Sequence, residues 1–149
     1  MPPSSKLGYG FEAVVQVPYE EAVALTREAL AGSGFGVLTE IDVKATLKKK
    51  LDVDFRPYVI LGACNPPLAH RALSSELKIG LLLPCNVIVY AADEPGTSVV
   101  AVLDPAVQLG VTGREDLKPL ASQVQGLLRQ VLEHVREAAG RTIQLQTRN

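Results

Sequence analysis

The sequence predicts an α+β domain in which strands and helices alternate and a long helix closes the chain. Three observations carry that prediction. Apolar residues fall on alternate positions over 9–17 and 35–43, a β-branched apolar run fills Tyr58–Cys64, and helical spacing marks Tyr19–Gly32 and 120–135.

The elements follow in order. Tyr9, Phe11, Ala13, Val15 and Val17 alternate as in a half-buried strand, and Pro18 ends it. Over Tyr19–Gly32 the period becomes helical, with Tyr19, Val23, Thr26 and Leu30 on one face and Gly32 and Gly34 as the stop. Residues 35–43 alternate again, with Val37, Thr39, Ile41 and Val43 on one side and Leu38, Glu40 and Asp42 on the other. Asp42 then caps a short helix, Val43–Leu51, in which Val43, Leu47 and Leu51 stack and Lys44, Lys48 and Lys49 face water. The run Tyr58–Cys64 reads as a central strand covered on both faces, ended by Asn65-Pro66-Pro67. Proline suits a first helical turn, so residues 67–77 form a helix with Leu68, Ala72 and Leu73 inward and His70, Arg71 and Glu76 outward. Strands at 85–92 and 97–103 flank Asp93-Glu94-Pro95-Gly96, a hairpin signal. Residues 106–116 read as irregular or as a short helical turn. Leu120, Val124, Leu127, Leu128, Val131 and Val135 describe the long amphipathic helix, with Gly140 as its C-cap. The whole chain, 1–149, is one domain whose ends, 1–7 and 141–149, are frayed.

Composition narrows the function classes. The 149 residues carry 15 Lys and Arg against 16 Asp and Glu, a balance unlike that of a protein built to grip phosphate backbone. With 47% hydrophobic and 21% charged residues, the chain is not a disordered tail. Residues 1–6 lack the pattern of a secretory signal, the apolar stretch at 79–90 is broken by Gly80, Pro84 and Asn86, and two cysteines are too few for a disulfide scaffold. The expectation is a cytosolic protein with free thiols, no membrane contact and no cofactor. Hydrolase elbows, zinc-protease motifs, P-loops and dinucleotide fingerprints are absent from the sequence.

Three separated segments carry a family resemblance: Gly36-Val37-Leu38-Thr39-Glu40-Ile41-Asp42-Val43, Leu61-Gly62-Ala63-Cys64-Asn65-Pro66 and Leu82-Leu83-Pro84-Cys85-Asn86. In that order, within 9–90, they resemble the prokaryotic family known as domain of unknown function 302. The resemblance implies a TATA-binding-protein-like α+β fold, with a curved, mainly antiparallel sheet packed against helices. It also implies a homodimer and no established activity. A shared fold does not transfer DNA binding.

The candidate site rests on the repeated Cys-Asn pair. Cys64-Asn65 ends one apolar strand and Cys85-Asn86 starts another, so antiparallel neighbours would bring both thiols to one end of the sheet, whereas a parallel crossover would separate them. The favoured reading is a homodimeric small-ligand-binding or interaction module with a pocket at Tyr58, Cys64, Asn65, Cys85 and Asn86, to which Glu40 is added as a contact. The alternative is a thiol-dependent redox protein in which Cys64 is the nucleophile and Cys85 resolves it, or a soft-metal site at Cys64, Cys85 and His70. Against both stands the plain reading of Cys as a small buried hydrophobe and Asn as a turn former. Glu40 and Asp42 are close enough to act as acid and base, but such a pair is more often a solvated face plus a helix cap, and Asp42 as a cap needs no catalysis. The glycines at 32–36 follow a helix rather than precede one, the reverse of a phosphate cradle. Lys44 and Lys48-Lys49-Lys50 are a solvated helix face, His134 is a surface or interface residue, and no nucleic-acid partner is expected.

Overall fold

Alternation and helical spacing resolve into layers in the computed structural model, which describes residues 5–148 and their side chains through Thr142. In chain order the elements are β1 (Ser5–Lys6), β2 (Gly10–Val15), α1 (Tyr19–Gly32), β3 (Gly36–Asp42), α2 (Val43–Leu51), β4 (Tyr58–Cys64) and α3 (Pro66–Ser75). A 3-10 turn at Leu77–Leu82 leads to β5 (Cys85–Ala91), β6 (Ser98–Leu103), α4 (Pro105–Gly110), a second 3-10 turn at Glu115–Leu117, and α5 (Lys118–Arg148). All strands join one antiparallel sheet in the order β1-β2-β6-β5-β4-β3. No helix of the described residues is long and apolar enough to cross a membrane.

The strand period decides which side chains meet the helices. Phe11, Ala13 and Val15 of β2 pair with Val102, Val100 and Ser98 of β6, and Val87 and Val89 of β5 with Leu61 and Val59 of β4. These side chains are buried on one face, beneath α1 and α5. The α5 stripe of Leu120, Val124, Leu128, Val131, Leu132, Val135 and Ala139 falls at spacings of three and four and supplies much of the core. Two buried hydroxyls are satisfied within it: Thr26 donates to the Ala22 carbonyl at 2.7 Å, and Ser98 to the Val17 carbonyl at 2.8 Å.

Among the described residues, α1 and α5 leave the opposite face uncovered. β4 is therefore not covered on both faces: Val59, Leu61 and Ala63 are buried under the helices, while Tyr58 and Ile60 are half-buried on the open side. A continuous apolar run has no alternation to reveal that asymmetry. The α2 helix has the expected bounds and cap, with Asp42 accepting from the Ala45 amide at 2.9 Å, yet none of its residues is buried. On α1 the buried stripe is Ala22, Thr26, Ala29 and Leu30, with Tyr19 and Val23 at its margin. Gly140 is no C-cap, since α5 runs through it to Arg148. Of the ends expected to fray, 1–4 and 149 lie outside the described residues, Ser5–Lys6 pair with β2, and 141–148 are helical.

Candidate functional site: a cavity at the end of β4 and β5

Because β4 and β5 are adjacent and antiparallel, the last residues of one meet the first of the other. Ala63 stands opposite Cys85, so both Cys-Asn pairs lie at the same end of the sheet. The chain leaves β4 into α3 through a cap: Asn65 accepts from the Leu68 amide at 3.3 Å, and Pro66 takes the first helical position. Between this strand end, α3, α4 and α5 lies a cavity of about 360 Å3. Phe35, Leu68, Ala72, Leu109, Leu120 and Val124 form most of its apolar wall. Its polar side chains are Thr39, Cys64, Asn65, Cys85 and Gln108, and no charged side chain among the described residues lines it.

Gln108 organises the polar side. Its Nε2 donates to the Leu82 carbonyl, and its Oε1 accepts from the Cys85 thiol at 3.7 Å. The amide thus ties the 3-10 turn to the start of β5. Burial, reinforced by the nearby Cys64 sulfur, pushes the Cys85 thiol up to about 11. At neutral pH Cys85 is a protonated donor and not a ready nucleophile. To a guest the wall offers apolar contact together with the side-chain donors and acceptors of Thr39, Asn65 and Gln108.

The sheet separates the residues that the sequence grouped together. Cys64, Asn65 and Cys85 line the cavity, whereas Tyr58 and Asn86 line a groove of about 760 Å3 on the open face. Asn86 stands opposite Gly62, one residue out of phase with Cys85, so the two face opposite ways. Glu40 lines neither space and pairs with Arg27 of α1 at 2.5 Å. His70 is exposed on α3 and lines neither, and no three His, Cys, Asp or Glu side chains among the described residues cluster as metal ligands. Sequence reasoning missed Gln108 and Leu109, which sit on α4. Their signal was Asp104-Pro105, an N-cap followed by proline at the first helical position; the Asp104 carboxylate accepts from the Ala106 amide at 2.9 Å.

The open-face groove holds a second cluster that sequence reasoning left scattered. Tyr58 and Tyr90 stack with centroids 5.3 Å apart and planes at 8°, and Phe55 tilts against Tyr58 at 6.2 Å. The Arg56 guanidinium lies 6.0 Å over the Tyr90 ring. Burial, with the neighbouring Tyr90 and Tyr9, raises the Tyr58 phenol above its ordinary value.

Two comparisons place this architecture. The crystal structure of an uncharacterized conserved protein DUF302 from Bacillus stearothermophilus matches with a TM-score of 0.79 and 32% sequence identity, covering 87% of this chain and all of that one. No curated protein matches the chain. The family model described as domain of unknown function DUF302 matches residues 11–135, and the chain belongs to that family.

Proposed function

We propose that the protein is a homodimeric binding module of the cytosol, holding a small apolar ligand in the cavity at Cys64 and Cys85. The observation that carries this reading is an uncharged hollow of about 360 Å3 between the sheet end and three helices, within the size range of small-molecule sites. At roughly 30 Å3 per heavy atom, the share of one water molecule, it holds on the order of a dozen atoms. The ligand is a short apolar chain or ring with at most one hydrogen-bonding end.

A second copy of the chain covers α2. A nine-residue helix is marginal alone, and in this one Val43 and Leu47 are only half-buried while the rest is exposed. Exposed Ile41, Leu51 and Val53 lie on or beside it, and although Lys48 pairs with Asp52 at 3.0 Å and Asp54 at 3.2 Å within the chain, Lys49 and Lys50 are left for acidic groups of a second copy related by a two-fold axis. Two free thiols sharing one cavity suit a reducing compartment.

The test is displacement of an environment-sensitive naphthalene dye by a series of linear alcohols, on the wild type and on Ala69→Phe, which fills the cavity from its half-buried wall. Saturable displacement that peaks at one chain length and vanishes in a folded Ala69→Phe supports the cavity. Equal displacement from both proteins defeats it. Light scattering after size exclusion reads the dimer, and a monomer at micromolar concentration overturns that part.

A further inference from the structure

The groove on the open face is independent of the cavity, since the sheet lies between them. Tyr9, Phe55, Tyr58 and Tyr90 supply aromatic surface along it, and Glu12 and Arg56 supply charge. The two charges are not equivalent. Arg56 is anchored at the margin, its guanidinium donating to Asp93 at 2.9 Å and to the Ala91 carbonyl at 3.1 Å. Glu12 is half-buried on β2 and has no ion-pair partner among the described residues. With Arg56 paired to Asp93, Glu12 is the one charge of the groove left without an ion-pair partner among the described residues, beside four aromatic rings.

That combination selects a class of ligand. The faces of aromatic rings are negative and attract cations, and a carboxylate adds to the attraction without demanding a particular donor geometry. A primary ammonium needs acceptors for three N–H groups, and this groove offers few. An alkylated ammonium has a diffuse charge, a weak hydration shell and methyl groups that pack on the rings. We propose that this groove binds a small quaternary or multiply alkylated ammonium compound, with Tyr9, Phe55 and the exposed side of the Tyr58–Tyr90 stack as aromatic surface and Glu12 as the counter-charge.

The chain has no tryptophan and four tyrosines, of which Tyr9, Tyr58 and Tyr90 belong to the groove, so tyrosine fluorescence reports the site directly. Tetramethylammonium chloride is titrated against sodium chloride at equal ionic strength and against tert-butanol, an uncharged molecule of similar shape. The expected result is saturable quenching by tetramethylammonium, with affinity in the millimolar range for so small a ligand, and no saturation with either control. Glu12→Gln and Phe55→Ala, the latter at a position already 43% exposed, each weaken binding by about tenfold, and Ala69→Phe leaves it unchanged. Saturation by tert-butanol at the same concentration, or undiminished binding to Glu12→Gln, overturns the proposal. Absence of any saturable tetramethylammonium signal overturns it as well, leaving the cavity reading untouched.

Discussion

Thr39 stands over Gly62 so closely that a side chain at position 62 has nowhere to go. A Cβ there would overlap Thr39 Oγ1 and come within 2.8 Å of Pro84 Cγ. β3 shifts register between Val37 and Thr39 beside this contact, so the bulge, the glycine and the proline form one packed unit at the cavity's end of the sheet. Gly62→Ala is expected to destabilise the fold by about 1–3 kcal/mol, the usual cost of overpacking. Urea denaturation measures it, and Thr39→Ala in the same chain should restore part of the loss.

The Cys85 thiol should resist alkylation at neutral pH. Its ordinary value of 9.0 is pushed to about 11 by burial and then by Cys64. Iodoacetamide labelling followed by mass spectrometry should show its rate climbing only in strongly alkaline solution. Stability follows the same titration. Between about 9 and 11 the unfolded chain releases this proton while the folded chain keeps it, so the contribution is complete below 9 and disappears as pH rises through 11. The loss is on the order of 2 kcal/mol, and Cys85→Ala should flatten that alkaline limb.

Gln108 joins the turn before β5 to the thiol at its start, and neither partner is replaced when the amide is removed. Gln108→Ala is expected to cost about 1–2 kcal/mol and to speed alkylation of Cys85 by opening the cavity wall. A variant that loses stability while Cys85 labelling stays unchanged would show that the amide holds the turn alone.

Glu76 carries the acid-side counterpart. The Lys78 amide donates to its carboxylate at 3.0 Å, and Arg114 pairs with it at 2.9 Å, holding the group below its usual 4.5. A depressed value means that the contribution is present above 4.5 and is lost as pH falls through the lowered value. Glu76→Gln should therefore be less stable than the wild type at neutral pH and converge with it in acid. Denaturation curves at several pH values decide this.

Much of the fold was legible because its signals are local. The bounds of α1 and α2, the Asp42 cap and the β5–β6 hairpin depend on periods, caps and turn residues within a few positions of one another. The site was only half legible. That Cys64 and Cys85 share one end of the sheet depended on which strands are neighbours, a non-local fact no single segment encodes. Asn86 is a different case, since adjacent strand residues face opposite ways and its separation from Cys85 was implicit in the alternation. Gly140 misled because a glycine beyond an apolar stripe resembles a stop, while α5 continues through it.

The position of β6 between β2 and β5 governs the order in which the chain can be assembled. β3, β4 and β5 are successive neighbours, able to zip together as soon as residue 91 is made. β2 is synthesised earlier but has no partner toward the sheet centre until Val102 arrives to face Phe11. The β2–β6 pairing therefore joins the first and last long strands of the chain. By its contact order this long-range insertion is expected to form more slowly than the local β3–β4–β5 meander, so a chain truncated before residue 98 leaves β2 without its β6 partner.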